Sequence, residues 1–187
     1  MNTVQPIRDK KKIKAMKVQL KSMGDKYYMM FILGINVGLR VSDILNLKVS
    51  DIYGQNHVDV IEEKTKKHKR FLLNEKMQKE IKEYVDTNEL TPDDFIVYSN
   101  KRGPHYEKKA ISRIQAYRVL NEAASAVGIK EVGTHTMRKT FGYHHYQQFH
   151  DVALLQDLFN HSAPSITLRY IGINQDMKDD SMREFFL

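Results

Sequence analysis

From Tyr27 to Leu39 the chain reads Tyr-Tyr-Met-Met-Phe-Ile-Leu-Gly-Ile-Asn-Val-Gly-Leu. A helix drawn over this stretch is apolar on nearly every side, so other elements must surround it. It is shorter than the about 20 residues that a bilayer span needs, so it predicts a buried core helix. A chain of 187 residues is about one domain long and can bury such a helix without metal or disulfide staples. Cysteine is absent, which removes disulfides, thiolate metal sites and a cysteine nucleophile together. Lys and Arg outnumber Asp and Glu by 30 to 23, a net charge of +7, and that excess points to a polyanionic partner. Met1–Lys12 is polar and basic with no apolar run behind it, so no signal peptide is expected and the expected location is cytoplasmic.

Periodicity and punctuation predict the remaining elements. Asp9–Met23 reads as a basic amphipathic helix with Ile13, Met16 and Leu20 on one face and Gly24 as its stop. The core helix then runs Asp25–Val37, ended by Gly38, and Ser42 is placed to cap a short helix at Asp43–Leu47. Strand character is confined to Val49–Tyr53, His57–Glu62 and Lys69–Leu73, which predict a small antiparallel three-stranded sheet. Helices are predicted at Glu75–Thr87, Glu107–Val127, Thr134–Phe149, Asp151–Phe159 and Ser165–Tyr170, with a short extended piece at Phe95–Ser99. Pro164 suits the first turn of the last of these. The fold class expected is α+β, mainly helical.

Four stretches carry potential chemistry. In Gly38-Leu39-Arg40-Val41-Ser42-Asp43 an arginine stands at a helix junction, where its planar fork can point into a cleft; a surface pair with Asp43 is the plainer alternative. The charged run Glu62-Glu63-Lys64-Thr65-Lys66-Lys67-His68-Lys69-Arg70 between two strands is either a solvated hairpin tip or a basic finger for a phosphate backbone. In His135-Thr136-Met137-Arg138 the i, i+3 spacing puts an imidazole and a guanidinium on one helix face. His144, His145 and His150 follow, but no carboxylate or thiolate is suitably spaced to complete a metal site. The fourth stretch runs from His161 to Tyr170. Together these give two arginines, two histidines, a loop lysine and a tyrosine. Cations of this kind can stabilise the charge of a phosphodiester transition state without a metal. A tyrosine can attack phosphorus, and a lysine can protonate the leaving oxygen.

The order Arg40, Lys64, His135-x-x-Arg138, His161, Tyr170 resembles the catalytic domain of the tyrosine recombinases, the phage integrase family, over residues about 25 to 172. The resemblance implies DNA strand cleavage and rejoining through a 3′-phosphotyrosyl intermediate, with no metal, ATP or other cofactor. It makes Tyr170 the nucleophile and Arg40 and Arg138 a clamp on the scissile phosphate. His135 would assist proton transfer from Tyr170, Lys64 would protonate the 5′-oxygen, and His161 would bond a non-bridging oxygen. Asp43, where the family more often has Glu, would support Arg40. Asn160 stands where Gly is common, and Lys139 where His is frequent. Lys66, Lys67, Lys69, Arg70, Lys101, Arg102 and Lys139 are the further candidates for DNA contact.

The partners implied are double-stranded DNA and other copies of the chain in a tetrameric synapse, with nucleoid association and no membrane. Only 39 residues precede Arg40, so residues 1–187 are expected to be one catalytic domain without the family's N-terminal core-binding domain. DNA binding by the chain alone should then be weak and strongly salt-dependent. Residues 1–24 would form a basic helix on the linker side. The tail, residues 171–187, carries Met182, Phe185, Phe186 and Leu187 on an apolar face that packs on a neighbour or on its own core. A type IB topoisomerase with the same residues, or a DNA-binding regulator retaining the fold, are the competing readings.

Overall fold

The computed structural model describes residues 4–61, 68–102, 108–173, 181–183 and 185–186. Asp9 caps the first helix, α1 (Lys10–Met23), its carboxylate accepting from the Lys11 amide. Gly24 turns the chain into α2 (Asp25–Asn36), the predicted core helix, in which Met29, Met30, Phe31, Ile32 and Leu33 are all buried. α1 packs along α2, and α7 (Thr136–Phe149) crosses it. Gly34 allows that crossing, since a Cβ there would stand 2.6 Å from the Cβ of Met137.

Two short helices follow, α3 (Val41–Leu45) and α4 (Val49–Ile52). Both correct the sequence reading. The first starts at Val41 with Arg40 at its cap position and no side-chain cap, so Ser42 does not act as one. The predicted strand over Val49–Tyr53 is the helical turn α4, because the Asp51 carboxylate accepts from the Lys48 amide and the Tyr53 amide donates to the Val49 carbonyl. The predicted three-stranded sheet is therefore a two-stranded hairpin, β1 (His57–Ile61) against β2 (His68–Leu72), with Val58 opposite Phe71. A second hairpin pairs β3 (Tyr98–Arg102) with β4 (Lys108–Ala110).

Between the hairpins lies α5 (Glu75–Thr87), capped by Asn74 and burying Met77, Ile81, Tyr84 and Val85. The long helix expected over Glu107–Val127 divides. Its first residues form β4, which the Ile111 amide anchors on the Val97 carbonyl, and Ser112 then caps α6 (Arg113–Ala126) through the Gln115 amide. Next come α7, α8 (Val152–Phe159) and α9 (Pro164–Ile171), the last with Pro at its first position and Gly172 as a left-handed cap.

Buried side chains from α1–α7 and the hairpins make one main core. Leu155, Phe159, Ile171 and Ile173 make a second, smaller one under α8 and α9. No helix among the described residues is long and apolar enough to cross a membrane.

Candidate active site

A cleft of about 830 Å³ opens where α3, α6, α7, α8 and α9 converge. Arg40, Asp43, His135, Arg138, His161 and Tyr170, six of the residues singled out in the sequence, all line it. Each is delivered by a different local device.

Arg138 stands in the first turn of α7 and is only 3% exposed. Its Nη1 donates to the Gly38 carbonyl at 2.8 Å and its Nη2 to the Leu158 carbonyl at 3.5 Å, while the guanidinium lies 4.6 Å from the centroid of the Phe159 ring. The helix α7, the α2–α3 turn and the end of α8 thus fix one cation between them. Gly38 has φ +75, and a Cβ there would meet the Phe141 ring at 2.5 Å, so the turn that presents this carbonyl needs glycine. Arg40, two residues on, leads into α3, and its Nη1 is 3.9 Å from Oδ2 of the buried Asp43. That carboxylate offsets part of the positive charge gathered in the cleft.

His135 occupies the cap position of α7, and its Nδ1 is 3.2 Å from the Tyr170 hydroxyl. The enclosure of the ring in the cleft, then the charges of Lys139, Arg113, Arg138 and Arg40, hold its pKa below the ordinary value of 6.5. Near neutral pH the imidazole is therefore uncharged and able to accept a proton. Tyr170, in the last turn of α9, is half-buried, with its ring edge-on to Phe159, His161 and His135. Burial raises its pKa above 10, and the charges of Arg138 and Arg40 and a hydrogen bond to Arg138 pull the other way. Asn160, in the left-handed region at φ 56, ends α8 and directs the next residue, His161, whose Nδ1 meets Thr167 Oγ1 at 3.0 Å. The buried Thr167 fixes the imidazole beside the tyrosine ring.

The other candidates fall in three groups. Lys64, Lys66 and Lys67 lie outside the described residues, as do the side chains of Lys101 and Arg102, whose backbone is in β3. Lys69 in β2 reaches α8, its Nζ donating to the Asp157 carbonyl at 2.8 Å, and this ties the hairpin to the site. Arg70 is exposed and paired with Asp59 at 3.7 Å. Lys139 is half-buried and turned toward the protein: its Nζ donates to the Val4 carbonyl at 2.7 Å and stands 5.1 Å from the centroid of the Tyr170 ring.

Arg113, the first residue of α6, also lines the cleft, and the sequence reading missed it. A helix drawn through Glu107 hid it in mid-element. Ser112 followed three residues later by Gln115 was the available signal, a capping pair that marks a helix start. Among the described residues there is no group of three or more His, Cys, Asp or Glu side chains placed to hold a metal.

The model of the phage integrase family matches residues 8–177. The chain is 48% identical over 176 residues to a probable integrase/recombinase, YoeC, of Bacillus subtilis, covering 94% of this chain and 93% of that one. Among solved structures, a XerA recombinase superposes with a TM-score of 0.76 at 19% identity, covering 98% of this chain and 66% of the other. A lambda integrase tetramer bound to a Holliday junction superposes with a TM-score of 0.69 at 18% identity, covering 93% and 51%. The chain belongs to the phage integrase family, the tyrosine recombinases. It spans nearly the whole length of its Bacillus relative but only about two thirds and one half of these two solved proteins.

Proposed function

We propose that this chain is a recombinase catalytic domain that cuts and rejoins DNA through Tyr170. The observation that carries the reading is the 3.2 Å contact between the Tyr170 hydroxyl and His135 Nδ1, in a cleft that also holds the guanidiniums of Arg40, Arg113 and Arg138. In the first step the Tyr170 oxygen attacks the scissile phosphorus, its proton passes to His135, and the bond from phosphorus to the 5′-oxygen breaks. Arg40 and Arg138 stabilise the charge that develops on the non-bridging oxygens, and His161 hydrogen-bonds one of them. The leaving 5′-oxygen takes a proton from Lys64. The phosphotyrosyl bond conserves the energy of the diester, so the reverse attack by a 5′-hydroxyl rejoins DNA without ATP or metal.

The partners proposed are double-stranded DNA and further copies of the chain, four at a synapse, in keeping with the tetrameric, junction-bound lambda integrase. The integrase and recombinase names of its relatives favour recombination over DNA relaxation by a topoisomerase.

A duplex nicked close to the cleavage site traps the covalent intermediate, because the short 5′-fragment diffuses away. Wild-type protein should give an SDS-resistant protein–DNA adduct whose yield is unchanged by EDTA. A relaxed circular plasmid from a supercoiled one, with no exchange between two target duplexes, would favour the topoisomerase reading instead.

A further inference from the structure

The nucleophile rides on a thin support. α9 is eight residues long, and the buried core it shares is small: its own Ile171 packs with Leu155, Phe159 and Ile173. A second support comes from the other end of the chain. Residues 4–8 have no regular secondary structure and form a strap between α7 and the end of α9. On one side the strap is sewn to α7: the Ile7 amide donates to Thr140 Oγ1 at 2.9 Å, His144 Nε2 donates to the Ile7 carbonyl at 2.9 Å, and Lys139 Nζ donates to the Val4 carbonyl. On the other side Arg8 Nη2 donates to the carbonyl of Gly172, two residues beyond Tyr170, at 3.1 Å.

Two glycines make room for this path. A Cβ on Gly172 would stand 2.7 Å from Arg8 Nη2 and 3.4 Å from the Pro6 ring, and a Cβ on Gly133 would meet the Val4 side chain at 2.8 Å. Arg8 is exposed, and its guanidinium packs over the Tyr143 ring, 5.5 Å from its centroid, which favours the orientation that reaches Gly172. Ile7 belongs to the main core, while Ile171 and Ile173, on either side of Gly172, belong to the small one. The strap therefore bridges the two.

We propose that Arg8 is a positioning residue: by clamping the Gly172 carbonyl to a strap anchored on α7, it holds the end of α9 so that the Tyr170 hydroxyl stays against His135. The role rests on the reading of Tyr170 as nucleophile. Both partners of the attacking pair are then referred to the same helix, His135 by covalent connection and Tyr170 through Arg8. Lys139 completes the arrangement, spanning from the Val4 carbonyl to the Tyr170 ring face. Burial and the nearby Arg8 lower its pKa, as expected for an ammonium seated between strap and ring.

The test uses the full chain and a nicked duplex, with two readouts. One is the single-turnover rate of adduct formation at saturating DNA, set beside the dissociation constant for the same duplex. The other is hydrogen exchange of the α9 amides without DNA. Arg8→Ala should slow adduct formation about ten- to a hundredfold, the loss expected from misplacing a reacting group by an ångström. The dissociation constant should move less than about twofold, a single phosphate-range charge being a small part of the binding. Exchange at Leu168–Ile173 should quicken while α2 stays protected. Arg8→Lys, which keeps one donor, should recover much of the rate, and Lys11→Ala, an equal charge loss on an exposed neighbour, should change neither readout.

A wild-type rate in Arg8→Ala, or an equal loss of rate in Lys11→Ala, would overturn the proposal. So would α9 exchange that does not change. A wild-type chain that forms no adduct, with α9 still loosened by Arg8→Ala, would overturn the reading of Tyr170 as nucleophile and not the strap.

Discussion

The two cores of this molecule hold the two halves of its site to different standards. The α2–α3 turn and α7, which carry Arg40, Asp43, His135 and Arg138, grow out of the main core, where Leu33, Leu39, Ile44 and Met137 are almost wholly enclosed. His161 and Tyr170 ride on α8 and α9, over the four-residue small core. The lesson is a division of labour. In the proposed mechanism the two guanidiniums of the phosphate clamp grow from the larger core, while the attacking hydroxyl and His161 sit over the smaller one, which is expected to open first. Arg138 and Arg8 are the joints between the halves, one reaching the Leu158 carbonyl and the other the Gly172 carbonyl.

The largest effect expected is on the small-core side. Tyr170→Phe should abolish the covalent adduct and leave DNA affinity within about twofold, because a lost hydroxyl removes one hydrogen bond and no charge. An adduct surviving in that variant would break the comparison, since the attacking residue would lie elsewhere. On the main-core side, Arg138→Ala should cut the single-turnover rate about a hundred- to a thousandfold, the scale of a lost transition-state charge stabiliser. It should also lower stability by about 1–3 kcal/mol, because the Gly38 carbonyl is left buried without its donor. An unchanged rate would remove Arg138 from the clamp.

A pair of core truncations sharpens the contrast. Leu33→Ala should lower the global unfolding free energy by about 2–5 kcal/mol, and slow-exchanging amides throughout the domain should follow it. Phe159→Ala should instead open α8 and α9 locally, quickening their exchange while α2 remains protected. Uniform loss in both variants would mean one cooperative core. A smaller effect is on pH. The rate should fall as acid protonates His135, and because that pKa lies below 6.5 the midpoint of the fall should lie on the acid side of 6.5. Arg113→Gln removes one of the charges that disfavour the imidazolium, so its acid limb should move to higher pH. The smallest effect is expected at Arg70→Ala, which breaks an exposed pair with Asp59 and should change stability by no more than about 0.5 kcal/mol.

Much of this was legible in the sequence, for physical reasons. Helices with a strong apolar period or caps, α1, α2 and α5, lie within about a residue of where they were expected. The six cleft residues were legible because their types suit phosphoryl transfer and their order matches that of the family the chain resembles. What escaped was structure set by distant partners. β4 looks helical locally and becomes a strand because Ile111 bonds Val97 and Lys108 bonds Phe95 and Asp94. Val49–Ile52 is short and partly β-branched, but the Asp51 carboxylate caps it as a helical turn that buries Val49 and Ile52. The strap has no period at all. Its order comes from bonds such as Ile7 to Thr140, across 133 residues of sequence, and nothing in Val4–Arg8 by itself foretells them.

The account stands on one of ten tyrosines. The most direct test is to trap the protein–DNA adduct on a nicked duplex, digest protein and DNA, and find by mass spectrometry which peptide carries the nucleotide. The prediction is a single phosphotyrosyl linkage at Tyr170. A nucleotide on any other tyrosine, such as Tyr143 or Tyr146 behind the cleft, would contradict it.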